Sequence, residues 1–223
     1  MAMPVTPNAS SEWIDGFLFV GNHLALDFLN TKLLLADGPT DFLPDVEALI
    51  RWLVASDVLA SKQGKALARK WKDTPQASAF LRQLLGFRER LRAAVVRQEA
   101  GKPVSNAFVA ELNSLLKRHP SVIAVQWKGD KLEADATCDL EKPTDVWASI
   151  AVAVAELLSD VSPVRLRKCE ACIVHFLDTS KKGSRRWCSM NICGNKLKVA
   201  AYQKRKRAAG EKMHRRKIKS ISR

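Results

Sequence analysis

Apolar and polar positions follow a helical period over most of this chain, with clear stop signals between segments. The stretch FLFVGNHLALDFLNT (17–31) opens strand-like and turns at Gly21-Asn22. It continues with Leu24, Leu26, Phe28 and Leu29 on a short helix that ends at Asn30-Thr31. Segment 39–57 reads as a loop and then a helix, with Val46, Leu49, Ile50, Leu53 and Val54 at helical spacing. Ser61 is placed to cap a helix running through Trp71. Asp73 or Thr74 caps the next, Pro75 suits its first turn, and its apolar side runs from Phe80 to Val96 before Gly101. Ser105 opens a helix with Phe108, Leu112, Leu115 and Leu116 on one side. After Pro120 the pattern changes: VIAVQW and KLEADAT flank Lys128-Gly129-Asp130. This predicts a β-hairpin, with Gly129 supplying the positive backbone angle of a tight turn. The last long helix, 146–160, is apolar on most sides and belongs near the centre of its domain. Ser162-Pro163 marks a boundary, and there is no internal repeat.

These elements predict an α+β protein. A mainly helical N-terminal domain with one β-hairpin spans 1–162, and a small C-terminal module spans 163–209. A basic tail, expected to be flexible, spans 210–223. A length of 223 residues and a hydrophobic content of 47% suffice for one medium core plus a small one. No apolar run reaches the roughly 18 residues of a membrane span. The N-terminus, MAMPVTPNASSEW, lacks the basic-then-apolar pattern of a secretory signal. Five cysteines, an odd number, fit a reducing, cytoplasmic location better than a disulfide framework. Cys138, standing apart, reads as a small buried hydrophobe.

The other four cysteines change the picture. Cys169, Cys172, Cys188 and Cys193 are spaced C-x2-C, fifteen residues, C-x4-C. Two close thiolate pairs joined by a short loop suit one tetrahedral ion, so they are the candidate ligands of a single structural Zn2+. Four thiolates close the coordination shell and leave no position for catalysis at the ion. His175, three residues past Cys172, is a weaker competitor because it falls in a strand-like run. Between the pairs, Ile173, Val174, Phe176 and Leu177 favour a strand and Lys182-Gly183-Ser184 a turn. Arg185, Arg186 and Trp187 favour a returning strand. A knuckle, then a hairpin, then a helix from near Gly194 is a treble-clef-like layout. The helix dipole would favour a thiolate at Cys193.

Charge concentrates in the same segment. Residues 164–223 hold 19 Lys and Arg against three acids, a balance of +16, while the rest of the chain balances at −2. Such a segment repels itself without a polyanion, which points to nucleic acid, DNA first and RNA as the alternative. The candidate contacts are Arg185, Arg186, Asn195, Lys196, Lys198, Lys204, Arg205, Lys206 and Arg207. Four consecutive basic residues encircle a helix, so 204–207 suits tracking a phosphate backbone better than reading bases.

The motif CSMNICGNK (188–196) resembles the signature of the CGNR zinc-finger family, and GNHLALDFLNT (21–31) resembles the start of the ABATE domain that usually precedes that finger. The two resemblances cover nearly the whole chain in the expected order. They imply a bacterial stress-responsive transcriptional regulator whose N-terminal domain senses a small molecule and whose finger binds DNA. By resemblance the four cysteines are zinc ligands and Gly194 and Asn195 match the motif. Its fourth position, Arg in the family, is Lys196 here, which keeps the charge and loses the planar fork.

In the N-terminal domain Asn22, His23, Asp27, Asn30 and Thr31 cluster within ten residues as a candidate ligand pocket. Turn and cap chemistry explains the same cluster. Glycine-rich phosphate loops, G-x-S-x-G turns and H-E-x-x-H pairs are missing from the sequence, so no enzyme is expected. A small-molecule effector is expected only through the resemblance. The competing readings are an RNA-binding or ribosome-associated protein and an enzyme with its site in the N-terminal domain. No coiled-coil heptad marks a dimer.

Overall fold

The computed structural model describes residues 12–35, 38–137, 140–195, 197–199, 202–203 and 206. Cys138, the tail 210–223, and Lys196, Lys204, Arg205 and Arg207 lie outside the described residues.

Two short hairpins precede the main helices. In the first, β1 (Trp13–Ile14) pairs antiparallel with β2 (Phe17–Leu18) around Asp15-Gly16. Both turn residues have positive φ, 49° and 82°, as a two-residue Asp-Gly hairpin turn requires. After α1 (Leu24–Leu29), β3 (Lys32–Leu35) pairs with β4 (Gly38–Asp41). This corrects the reading of residues 39–41 as loop. Pro39, opposite Leu34, has no N–H to give and is tolerated at a sheet edge, which hides the strand from a propensity reading.

The helical body follows the predicted order. Asp45 caps α2 (Val46–Ala55), its carboxylate accepting from Ala48 N–H at 2.8 Å. Ser61 is the first residue of α3 (Ser61–Trp71) and not its cap; Ala60 holds that position and has no side-chain bond to offer. Thr74 caps α4 (Pro75–Glu99), and Ser105 caps α5 (Asn106–Arg118). In the hairpin of β5 (Val122–Lys128) and β6 (Lys131–Thr137), Lys128 pairs with Lys131 and Gly129 takes φ +66° as expected. The helix α6 (Val146–Ser159) has Ile150, Ala151, Val154 and Leu157 fully buried, which places it at the centre of the domain.

One apolar cluster joins α1, α2, α4, α5 and α6. Phe87 stacks on Phe108 at 5.4 Å and meets Trp147 edge-on at 5.1 Å. Within this body Arg88 is only 1% exposed. Its guanidinium donates to Thr31 Oγ1 at 2.7 Å and grips the Asp41 carboxylate with two nitrogens. Burial pushes the Asp41 carboxyl up, but the Arg88 and Leu43 hydrogen bonds and the charges of Arg88 and Lys32 together outweigh it and hold the group below its ordinary value.

Candidate metal centre and nucleic-acid interface

The C-terminal module begins with β7 (Leu166–Lys168), which pairs antiparallel with β8 (His175–Leu177). Cys169 N–H continues the ladder to the Val174 carbonyl at 2.8 Å. The knuckle Cys169–Cys172 is therefore the turn of this hairpin. This corrects the expectation of a hairpin after the knuckle with 185–187 as its second strand. The backbone N–H of Arg185 bonds the Asp178 side chain at 2.7 Å, and Glu170 N–H bonds the Arg186 carbonyl at 3.0 Å, so these residues anchor a loop. Asp178 is 1% exposed and also accepts from Ser180 N–H at 2.9 Å. Its role had a weak sequence signal: a lone acid ahead of a run of cations.

Of the second cysteine pair, Cys188 precedes and Cys193 lies within a tight helical segment, Met190–Gly194, wound with π-type hydrogen bonds. Ser189 caps it, its hydroxyl accepting from Asn191 N–H at 3.0 Å and Ile192 N–H at 3.4 Å. Cys193 is thus inside a helical turn, one step before the predicted start. Gly194 follows in a crowded position: an added Cβ would lie 3.2 Å from the Trp187 ring and 2.6 Å from Met190 Sδ, so the exposed Met190 side chain would have to move aside. Asn195 continues the helical conformation and is exposed, and the N-cap of the segment is Ser189.

The four sulfurs converge. All four cysteines are buried, and their Sγ atoms lie within 4.8 Å of one another. The Cys172–Cys188 and Cys188–Cys193 separations are 3.8 Å and 3.7 Å. Zn–S bonds of about 2.3 Å in a tetrahedron set a sulfur–sulfur edge of about 3.8 Å. The donor set therefore fits zinc in both chemistry and spacing. Without an ion, thiols this close cannot ionise independently. Hydrogen bonds from Cys172, Cys188 and Cys193 hold the Cys169 thiol far below its ordinary value, and the bond with Cys169 pushes Cys188 far above it. A bound dication reverses that logic and favours four thiolates. His175, the sequence competitor, points elsewhere: its Nδ1 meets Glu99 Oε1 at 2.9 Å.

The module does not stand apart from the N-terminal region. The cysteines, Val174, Phe176 and Ile192 share one buried cluster with Leu18, Val20 and Leu33. Asn30 grips the backbone of His175 from both sides, donating to its carbonyl at 2.8 Å and accepting from its N–H at 3.1 Å. Asn22, at φ +54°, donates to the Leu177 carbonyl at 2.9 Å, and Leu177 N–H returns to the Gly21 carbonyl at 2.8 Å. Glu12 accepts from the Ser189 hydroxyl and from Asn191 Nδ2.

This fixes where the five candidate pocket residues lie. Asn22 and Asn30 hold the finger. Thr31 donates to the Phe28 carbonyl at 2.7 Å and accepts from Arg88. His23 is the N-cap of α1, its Nδ1 accepting from Ala25 N–H at 3.3 Å, and its extended backbone keeps it off the helix face that carries Asp27. Burial holds its imidazole below the ordinary value against the pull of Glu156. Asp27 accepts from Gly21 N–H at 2.7 Å, and burial pushes its carboxyl up to about 7. Of the five, Asn22 borders a cleft of about 490 Å³ between the two regions, together with Glu12, Arg185, Trp187 and Asn191.

The proposed nucleic-acid contacts divide. Arg185 is half-buried, stacked 4.8 Å over Phe176, and donates to the Cys188 carbonyl. It braces the metal loop. Arg186 is exposed, pairs with Glu170 and covers the Trp187 ring at 5.6 Å. Lys198 and Lys206 are exposed on the following helical residues.

Comparison with known families agrees with this architecture. Residues 22–161 match the model of the ABATE family, described as "Putative stress-induced transcription regulator". The chain belongs to the ABATE family. Residues 165–206 match the CGNR zinc finger, so the converged cysteines are those of a known zinc-finger type. No curated protein gives a significant match. In this ABATE chain the two family segments meet at the Asn22 and Asn30 contacts. Among the described residues no helix is long and apolar enough to cross a membrane.

Proposed function

We propose that this ABATE–CGNR chain is a DNA-binding transcriptional regulator whose finger is shaped by one structural zinc ion. The observation that carries the reading is the tetrahedral spacing of four buried sulfurs at the head of the basic segment. The ion has a role in folding rather than chemistry, because four thiolates fill its shell. Exposed Asn195, Lys198 and Lys206, with Arg186, form the outward contact set, and Lys196, Lys204, Arg205 and Arg207 extend it by sequence. Phosphate contacts by such residues position the finger, and base contacts by Asn195 and Lys196 supply what sequence preference it has.

The N-terminal domain is the regulatory part in this reading, and a bound effector would act on the finger through Asn22 and Asn30. A binding protein is favoured over an enzyme because His23 Nδ1 and Asp27 Oδ1 are both engaged by backbone N–H groups. Selection from a random duplex DNA pool by the zinc-loaded chain at near-physiological salt tests the proposal. An enriched motif is expected. Retention of the pool without enrichment, or preference for structured RNA in competition, contradicts a sequence-specific DNA regulator.

A further inference from the structure

The N-terminal region balances at −2, yet one of its helices is strongly basic. Between residues 58 and 72 the sequence VLASKQGKALARKWK holds five cations, Lys62, Lys65, Arg69, Lys70 and Lys72, and no acid. All five are exposed. The opposite side of α3, Gly64, Leu67 and Trp71, is buried against its neighbours. Gly64 lets α3 approach α2 closely: an added Cβ would sit 2.5 Å from Val54. The apolar side thus fixes the orientation of α3 and turns the cations to solvent.

Four arginines of other helices have carboxylate partners, whereas Arg82, Arg97 and Arg118, like the α3 cations, have no ion pair among the described residues. Arg51 pairs with Asp15, Arg88 with Asp41, Arg90 with Glu111 and Arg92 with Glu89. Among the described residues no such ion pair involves the four cations of α3 or Lys72, which follows it. Lys62, Lys65 and Arg69 stand three and four residues apart, so like charges adjoin along one face, an arrangement that disfavours an isolated helix. Lys62 also sits in the first turn, where the helix dipole disfavours a cation, and there is no acid there to offset it. Arg69 and Lys70, in the last turn, suit the dipole; Lys62 and Lys65 do not. The fold gains nothing from these two charges, whereas a polyanion would.

We infer that the exposed face of α3 is a second phosphate-contacting surface, which holds the backbone of the same nucleic acid that the finger engages. The inference rests on the reading of the chain as a DNA-binding protein. Packed elements join α3 to the finger: α3 packs on α2, Arg51 of α2 holds the β1–β2 turn, and Leu18 of β2 packs with the zinc cysteines.

The test measures affinity of the full, zinc-loaded chain for a random-sequence duplex as a function of salt. Each neutralised phosphate adds about 0.9 to the slope of log affinity against log salt. The variant Lys62→Gln/Lys65→Gln/Arg69→Gln is expected to reduce that slope by about 2–3, with zinc content and melting temperature unchanged. The double variant Lys62→Gln/Lys65→Gln is expected to reduce it by about 2 and serves if the triple variant folds poorly. A charge-matched control, Lys102→Gln/Lys117→Gln/Arg118→Gln, should leave the slope as in the parent. An unchanged slope in the α3 variants, or an equal loss in the control, overturns the inference while leaving the finger's DNA binding intact. A parent chain that does not bind duplex DNA at all overturns both.

Discussion

The two buried clusters of this chain are built on different principles. The N-terminal core is large and self-sufficient: Phe28, Leu49, Trp52, Leu84, Phe87, Ile150 and Val154 come from four helices and bury one another. The buried C-terminal core has Val174, Phe176 and Ile192 as its own large apolar residues, and the remainder is Ala171, four cysteines, and Leu18, Val20 and Leu33 from the N-terminal region. A segment this poor in apolar residues needs a staple and a neighbour. In the proposed reading the zinc site is the staple, and the Asn22 and Asn30 contacts join the lobe to its neighbour. A CGNR finger in this setting is therefore a lobe completed by the N-terminal region rather than an independent bead.

The sharpest way to break that comparison is to remove the metal. Structural zinc contributes about 10–16 kcal/mol in isolated finger peptides. Cys172→Ser or chelation should unfold the C-terminal lobe and leave most of the helical circular dichroism, since α1 to α6 do not depend on sulfur. Complete loss of helix on chelation would mean that the two cores are one. The next effect lies in the helical body. Arg88→Met leaves Asp41 without its buried partner and should lower stability by about 3–5 kcal/mol in denaturant titration, with zinc content unchanged. A smaller loss is expected at the joint. Asn30→Ala leaves the His175 N–H and carbonyl without their partner and should cost about 1–3 kcal/mol. This loss should appear as a lower melting temperature of the finger lobe before that of the body.

A separate effect is a pH dependence. Asp27 titrates near 3.8 in its ordinary state and at about 7 in the fold, because it is buried. Between those values the native chain holds a proton that the unfolded chain has released, so this group's contribution to stability falls as pH rises from about 4 to about 7. Asp27→Asn keeps an oxygen for the Gly21 N–H and should flatten that slope, with a higher melting temperature than the parent at pH 8. Identical profiles for parent and variant would show that Asp27 does not titrate in this window.

The sequence revealed the helices better than the strands, for physical reasons. Capped helices such as α4 and α5 carry their period and their Thr74 and Ser105 stops in the residues themselves. The β3–β4 hairpin was hidden because Pro39 suppresses a strand reading. The β1–β2 hairpin had a signal in Asp15-Gly16 between apolar residues, but strands of two residues are too short to show an alternating period. At the candidate site, the cysteine spacing located the metal centre, since it depends on four residues only. The β7–β8 pairing was misplaced because it reaches back before the knuckle, and propensity for 173–177 does not name a partner strand. Asn22 and Asn30 were legible as polar residues but not as a joint, because their partners lie about 150 residues away along the chain. The burial of Arg88 was illegible: only the folded position of Asp41 makes an arginine acceptable inside an apolar stripe.

Titration of a fluorescent duplex with the full chain, zinc-loaded and then chelated, most directly tests the central claim that zinc shapes a DNA-binding finger. Tight binding by the loaded chain, with a loss of at least about tenfold on chelation and recovery on adding zinc back, is the predicted result. Equal affinity with and without the metal would contradict it, because the basic residues would then be binding without the fold that the four cysteines build.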